Sequence, residues 1–483
     1  MANQGDTSKP VARTRELHGR RVILSPAREI TPDNVVNELL QSIVVHNLNS
    51  SEIDYLWRYN AGVQPVLHRI MEHRPEICNK VVENHANEIT SFWKGYVWGE
   101  PIQYVSRNGD DTTPAIEELN SYMMAEDKEA KDTEIGEWMM VCGTAFRMVL
   151  PDQAVGDTDT ESPFNIYTLD PRQTFVVYSS EFDRRPLMAV HYIVNRDTIP
   201  TYFIYTKDSY YVVEGDLLQS VTPHRLGMIP IFEYPANSSR LGAFEIVIPL
   251  LDAINNLDSN SLDAVEQIVQ AFIKFINCDI DEEQFKALKD LGAIKVKSLD
   301  GQNADVDMVT NDISQDQTHI LRKDLYDAVL TICGIPNRNG GTSTSDTGQA
   351  VIYRDGWSAA ESRAKDIEKM FKRSEKNMLK IILGICREAN LLNLNLKDID
   401  MKFTRRNYEA IQSKSQVLIQ MLAQPKVHPL LAFTSCGMFS DPEGAYAMSQ
   451  EYYEEEQRKL QIEEVDEAGH NHDDSDEDVN EDV

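Results

Sequence analysis

No stretch of this chain is apolar for long enough to cross a bilayer. The longest such run, Phe244 to Leu251, is interrupted by Glu245 and Pro249, and it falls far short of the ~20 residues that a spanning helix needs. The opening MANQGDTSKP lacks a hydrophobic signal-peptide core. Cysteine is scarce: six in 483 residues, at positions 78, 142, 278, 333, 386 and 436, far apart and with no C-x-x-C pair. These are expected to be reduced, mostly buried thiols, which removes support for a disulfide frame or a zinc site. The expectation is a soluble protein kept in a cytoplasm, with no membrane partner.

Positive charge is in deficit. Forty-seven Lys and Arg face 78 Asp and Glu, giving a net charge of −31. A protein that grips nucleic acid through its phosphates needs a basic surface, so tight, salt-dependent DNA binding is disfavoured, although proximity to DNA without gripping is not. Part of the excess sits in the last thirty residues, where acids outnumber bases by about twelve. That density predicts a solvated, disordered tail over 462–483.

Catalytic signatures are missing as well. The sequence contains no H-E-x-x-H and no G-x-S-x-G. Carboxylate pairs are too abundant in an acidic chain to mark a glycosidase or nuclease. Asp305-Val306-Asp307 begins like a calcium loop, but Thr310 stands where glycine belongs and no bidentate glutamate follows, so it reads as a solvated acidic turn. His470-Asn471-His472 sits in the acidic run and reads as tail. No cofactor, metal or enzymatic activity is expected.

What the chain does have is 41 % apolar content, enough for a sizeable core and for two to four domain-sized units. The first thirty residues are polar and basic and read as a flexible arm. Thr31-Pro32-Asp33 predicts a helix start, with Val35, Leu39, Leu40 and Ile43 on its apolar face. Ser51-Glu52-Ile53-Asp54 resembles a capping box for a second helix, and a third is expected over 79–98.

From Pro101 to Tyr234 a helical segment, about 114–141, precedes runs such as FRMVL, TFVVY, LMAVHYIV, TYFIYT and SYYVVEG. These read as strands of a mainly antiparallel sheet. Regular β-α-β alternation is absent, which weakens a dinucleotide-binding reading. Apolar residues then recur at three- and four-residue steps from Val247 to Ile276, predicting one helix about 45 Å long. After it come a small mixed insert with a short helix near 282–290, a helix over 315–333, a long helix from Trp357 to Ile385 and a helical region over 408–461. The class is α+β, mainly helical.

Between two of these helices lies GIPNRNGGTSTSDTGQA, residues 334–350. It has no Lys-Ser or Lys-Thr after its last glycine, so it is not a Walker A phosphate loop. It reads either as an ordinary linker or as a loop projecting into a cavity. Lys286, Lys289, Lys295 and Lys297 cluster in the insert, as a solvated face or as a docking surface for an acidic partner.

In order along the chain stand GYVWGEPIQY (95–104), GTAFR (143–147), LDPRQTF (169–175), GMIPIFEY (227–234), Asn237, Phe244-Glu245 and LLDAIN (250–255). Together they resemble the portal proteins of tailed bacteriophages, in the subgroup typical of long-tailed phages of Gram-positive bacteria, over roughly residues 35–460. The resemblance implies a portal fold in a dodecameric ring. Its regions would be an arm (1–30), a wing (31–242 and 351–403), a first stem helix (243–276), a clip (277–314), a second stem helix (315–333), a tunnel loop (334–350), a crown (404–461) and the acidic tail. It implies double-stranded DNA in the channel, docking of the terminase large subunit and later of a head-completion adaptor, contact with major capsid and scaffolding proteins, and residence at the portal vertex of the virion after assembly in the host cytoplasm.

The implied tunnel-loop residues are Asn337, Arg338, Asn339, Gly340, Gly341, Thr342, Ser343, Thr344, Ser345 and Asp346, and the four lysines of the insert would be the clip docking surface. A non-portal structural head protein and a nucleic-acid-acting phage enzyme remain alternatives at this point.

Overall fold

The computed structural model describes residues 19–72, 75–107, 113–152, 161–194, 199–269, 272–276, 278–279, 297–298, 305–309, 315–337, 356–405, 411–439 and 442–473. The described chain begins with β1 (Ile23–Ser25), α1 (Val35–Asn60), α2 (His85–Trp98), β2 (Gln103–Ser106), α3 (Thr113–Ala125) and α4 (Lys128–Cys142). Eight strands follow: β3 (Thr144–Pro151), β4 (Phe164–Leu169), β5 (Thr174–Ser179), β6 (Pro186–Val194), β7 (Pro200–Tyr205), β8 (Ser209–Glu214), β9 (Leu217–Pro223) and β10 (Ile231–Pro235). Next are α5 (Ile248–Val269), the short strands β11 (Phe272–Ile276), β12 (Cys278–Asp279), β13 (Lys297–Ser298) and β14 (Asp305–Val309), and α6 (Gln315–Cys333). The chain closes with α7 (Trp357–Glu388), β15 (Ile399–Lys402), α8 (Ile411–Leu422), α9 (Pro429–Cys436) and α10 (Pro442–Asp473).

The strand-rich stretch folds into a six-stranded sheet of order β1-β5-β6-β7-β8-β9 and a three-stranded sheet β10-β3-β4. Among their pairs only β1 with β5 is parallel. Alternation along β5 shows why these residues make a doubly covered sheet. Phe175 and Val177 point to a core shared with Val35 and Leu39 of α1, while Val176 faces Phe146 and Ile231 of the smaller sheet. A third, larger core gathers α2, α3, α4, β2, β15, the first turns of α5 and the end of α6 around α7, whose Phe371, Met378, Ile382 and Cys386 are buried. Cys142, Cys333, Cys386 and Cys436 are buried free thiols.

Within this core lies a closed ionic quartet. Lys128 Nζ contacts Asp132 at 2.7 Å and Glu375 at 2.8 Å, and Arg147 contacts Asp132 at 2.7 Å and Glu375 at 3.3 Å. The hydroxyls of Tyr104 and Tyr234 donate to Glu375 at 2.5 and 2.7 Å. Two cations and two anions cancel, so the group is neutral, and it ties α4, β3, β10, β2 and α7 to one point. Gly143, with φ +78°, turns α4 into β3; a Cβ there would lie 2.1 Å from the Arg240 carbonyl oxygen, so only glycine fits.

Several sequence expectations need correction. Residues 19–30 are built into the fold rather than being a free arm: Ile23 and Ile30 are buried, β1 extends the sheet, and buried Arg20 pairs with Glu245 at 2.5 Å and Glu52 at 3.3 Å. Ser51 starts no second helix. Asp54, which would close the box, pairs with Arg58 and Arg172 instead, Glu52 serves Arg20 and Arg21, and α1 runs unbroken. The 114–141 helix is two helices, broken at Asp127 with φ 50°.

The long helix expected to reach Ile276 stops at Val269. Phe272 and Ile276 belong to β11, which pairs antiparallel with β14, so Asp305-Val306-Asp307 is strand and not turn. The aromatic and β-branched residues of FIKFI favour the strand over another helical turn. In the acidic tail, α10 continues to Asp473. The Glu- and Gln-rich composition that opposes a packed core is compatible with helix. The short helix expected near 282–290 lies outside the described residues.

Candidate functional site: a helix pair and the base of a loop

Helix α5 carries Asn255, Ser259 and Asp263 at four-residue intervals, a polar stripe that is almost wholly buried. The segment 79–83 lies along it. The backbone N–H of Asn79 donates to Asp263 Oδ1 (2.7 Å), that of Val81 to Ser259 Oγ (3.0 Å) and that of Glu83 to Asn255 Oδ1 (2.8 Å). Two residues of extended chain rise about 6.6 Å and four residues of helix about 6 Å, so every second N–H meets every fourth side chain. Arg69 secures the far end through Asp263 (2.8 Å), and Gln64 accepts from Asn255 Nδ2 (2.5 Å).

Helix α6 packs beside α5 through the same segment. Arg322 bonds Asp258 at 3.0 Å and also pairs with Glu83, while Tyr326 donates to Glu88 at 2.8 Å and its ring lies 4.4 Å from that of His85. Burial makes the Asp258 carboxyl harder to ionise and raises its pKa. For Glu83 burial opposes ionisation too, but the charges of His85 and Arg322 and the hydrogen bond from Arg322 prevail and lower its pKa. Toward the loop end of the pair, Leu251, Ile254, Val329, Leu330 and Cys333 are buried. At the other end Leu262, Val265, Ile320 and Leu321 are exposed.

Helix α6 stops at Gly334, which adopts φ +68°. Arg363 of α7 donates to the Ile332 carbonyl at 2.9 Å and lies over the Trp93 ring at 5.9 Å, capping that helix end. Asn337 Nδ2 donates to Asp327 at 2.9 Å. The chain is described again from Gly356, where a Cβ would stand 4.0 Å from Pro336 Cα. The two ends of segment 338–355 therefore lie side by side. Trp357 then packs against Phe92 and Tyr96, and Arg405 bonds Glu361 at 2.7 Å, pairs with Glu368 and covers the Tyr96 ring at 5.5 Å. Two arginine-aromatic contacts thus brace this base.

Of the sequence-selected loop residues, Asn337 is placed at this base. Arg338, Asn339, Gly340, Gly341, Thr342, Ser343, Thr344, Ser345 and Asp346 lie outside the described residues, as do Lys286, Lys289 and Lys295. Lys297 is in β13, opposite Asp279 of β12. Sequence reasoning missed Arg20, the quartet and the N–H ladder. Only the ladder left a trace, in polar residues spaced by four inside an apolar helix. Among the described residues no group of three His, Cys, Asp or Glu is placed to hold a metal ion, and no helix is long and apolar enough to cross a membrane.

The chain matches the family described as "Phage portal protein, SPP1 Gp6-like" over residues 45–468. It belongs to that family. Among solved structures it resembles a chain from "Neck of empty GTA particle computed with C6 symmetry", with TM-score 0.48 and 11 % identity over 80 % of this chain and 94 % of that one. It also resembles a chain from "Virion of native gene transfer agent (GTA) particle", with TM-score 0.47, 12 % identity and the same coverages. No curated protein sequence matches.

Proposed function

We propose that twelve copies of this portal protein form a ring at one vertex of a tailed-phage head, and that double-stranded DNA is packaged and ejected through its centre. The observation that carries this reading is the α5-α6 pair. Its outer half leaves Leu262, Val265, Ile320 and Leu321 exposed, whereas a freestanding limb would expose polar side chains. Apolar residues on both helices suit staves packed against neighbouring staves. Helix α5, at 22 residues, is about 33 Å long.

In this reading the pair is the stem, β11 to β14 belong to the clip, the sheets with α7 form the wing, and α8 to α10 belong to the crown. Residues 334–350 are the tunnel loop, entered through Gly334 and Asn337. The net charge of −31 serves passage: a lumen that held a polyanion tightly would stall it. The clip, with Lys286, Lys289, Lys295 and Lys297, docks the terminase large subunit and then the head-completion adaptor, while the wing meets major capsid and scaffolding proteins. The family is structural, so ATP turnover falls to the terminase. A virion of a long-tailed phage of Gram-positive bacteria, assembled in the host cytoplasm, is the setting.

Negative-stain electron microscopy with mass determination on the purified protein tests this. Rings with a hole of about 20 Å or more, the width of duplex DNA, are expected. Persistent monomers, even with scaffolding protein present, would overturn it.

A further inference from the structure

Two exposed surfaces of this acidic chain carry no charge at all. On α1, every exposed position from Asn37 to Ser51 is uncharged: Leu40, Val44 and Leu48 form a stripe, and the others are Asn, Gln or Ser. On β9, every exposed position from Leu217 to Pro223 is likewise uncharged, with Leu217 and Val221 the most prominent apolar side chains. Charged residues make up 26 % of the sequence, and both a solvent-facing helix and a sheet edge are places where they normally concentrate. Free edges in particular are usually blunted by lysine or glutamate, or covered by a helix. β9 is a terminal strand of the six-stranded sheet; it is bulged against β8 and ends in Pro223, but among the described residues neither a charged side chain on the strand nor a covering helix guards it.

We propose that the α1 stripe of one subunit packs on the β9 edge of the next copy in the ring, an interface that rests on the portal reading above. Three observations point to a second copy of this chain as the occupant. The lengths agree: Leu40 to Leu48 spans about 12 Å of helix, and Leu217 to Val221, which the bulge at Gln219 turns to opposite faces of the sheet, spans up to about 13 Å of the edge. The placement agrees too, since α1 packs on β1 at one edge of the sheet and β9 is the other edge, about 24 Å away at normal strand spacing. A subunit with different complementary faces on opposite flanks makes head-to-tail contacts, which close into rings.

Electrostatics gives the third argument. Copies each bearing −31 repel one another, so they approach best where no acid is present, and interface centres are depleted of charge for the same reason. A partner of opposite sign would be met by acidic side chains, and neither surface offers any.

The test is cross-linking of the full chain with a short bis-maleimide. Val44→Cys with Val221→Cys, and Leu48→Cys with Leu217→Cys, are compared with each single substitution and with the parent chain, whose half-buried Cys78 sets the background. A ladder extending beyond dimers in a double variant alone is expected. Rings in the microscope without such a ladder would overturn this interface and leave the portal reading intact, whereas absence of rings would overturn the portal reading itself. Dimers from Val44→Cys alone would mean a two-fold contact and also overturn the proposal. As a second readout, Val44→Asp and Val221→Asp should each raise the concentration for half-assembly about tenfold, the effect of one lost valine contact. Val44→Asp with Val221→Lys should recover most of it, and a double variant no better than the singles would count against the pairing.

Discussion

Arg147 Nη1 lies 3.3 Å from Glu375 Oε2, with both side chains entirely removed from solvent. Alone, such a pair would barely repay its desolvation. Lys128, Asp132, Tyr104 and Tyr234 complete the coordination, and the result fixes where the long helix α7 crosses β3 and β10.

Removing one member should therefore cost more than the contact itself. Glu375→Gln leaves Lys128 and Arg147 with a single carboxylate between them, and a loss of about 3 to 5 kcal/mol is expected for an uncompensated buried charge. Thermal melts read by circular dichroism check this against Glu361→Gln, whose carboxylate is partly exposed and whose loss should change stability by about 1 kcal/mol or less. Equal effects would show that the quartet is not what holds α7.

Acid sensitivity should arise elsewhere first. His46 of α1 is buried, stacked on Phe175, and donates from Nε2 to the Arg172 carbonyl at 3.0 Å. Burial dominates over that hydrogen bond and lowers its pKa to about 4. A histidine whose folded pKa lies below its unfolded value stabilises the fold when neutral. Its contribution is complete above about pH 6.5 and is lost as the pH falls toward about 4, amounting to about 3 kcal/mol. Melting temperature measured across pH 7 to 4 should fall more steeply for the parent chain than for His46→Gln. Parallel curves would refute the assignment.

How much of this was legible in the sequence follows from the range of each interaction. Helix α6 and the antiparallel strands could be read almost residue by residue, because their signals are local periodicities. The sequence cuts α1 at Ser51 because Ser51 with Asp54 three residues on mimics a capping box, and only the fold reveals that Asp54 pairs with Arg58 and Arg172 while Glu52 answers Arg20 and Arg21. Segment 79–83 looks helical in sequence yet is extended, because its partners Asn255, Ser259 and Asp263 are more than 170 residues away. The family resemblance points to residues 334–350 as a tunnel loop, but it cannot supply the arginine-aromatic contacts of Arg363 and Arg405 beside its start.

The ladder along α5 makes a graded prediction. Ser259→Ala removes the acceptor of the half-buried Val81 N–H and should cost about 1 kcal/mol. Asp263→Ala removes the acceptor of Asn79 and the partner of Arg69 together and should cost more. Hydrogen exchange at Val81 should accelerate in Ser259→Ala while exchange within α7 stays unchanged. Uniform acceleration would mean that the segment opens only with the whole fold.

The loop prediction turns on two opposed charges. Arg338 can touch phosphate and Asp346 repels it, and the remaining loop residues, glycine, threonine, serine and asparagine among them, offer only weak and exchangeable contacts. If this segment meets passing DNA, the balance sets how firmly the ring holds it. Asp346→Lys should leave ring formation intact, because the base at Gly334, Asn337 and Gly356 is untouched. It should also convert sliding into gripping: DNA retention by purified rings becomes measurable at low salt and falls with rising salt, the logarithmic slope steepening by about 0.9 for each phosphate newly neutralised. Arg338→Ala should act in the opposite direction and weaken what retention exists. Filter retention of short duplexes at several salt concentrations checks both variants. Identical salt slopes in the parent chain and Asp346→Lys would place the loop away from the DNA path and return 334–350 to the role of a connector between α6 and α7.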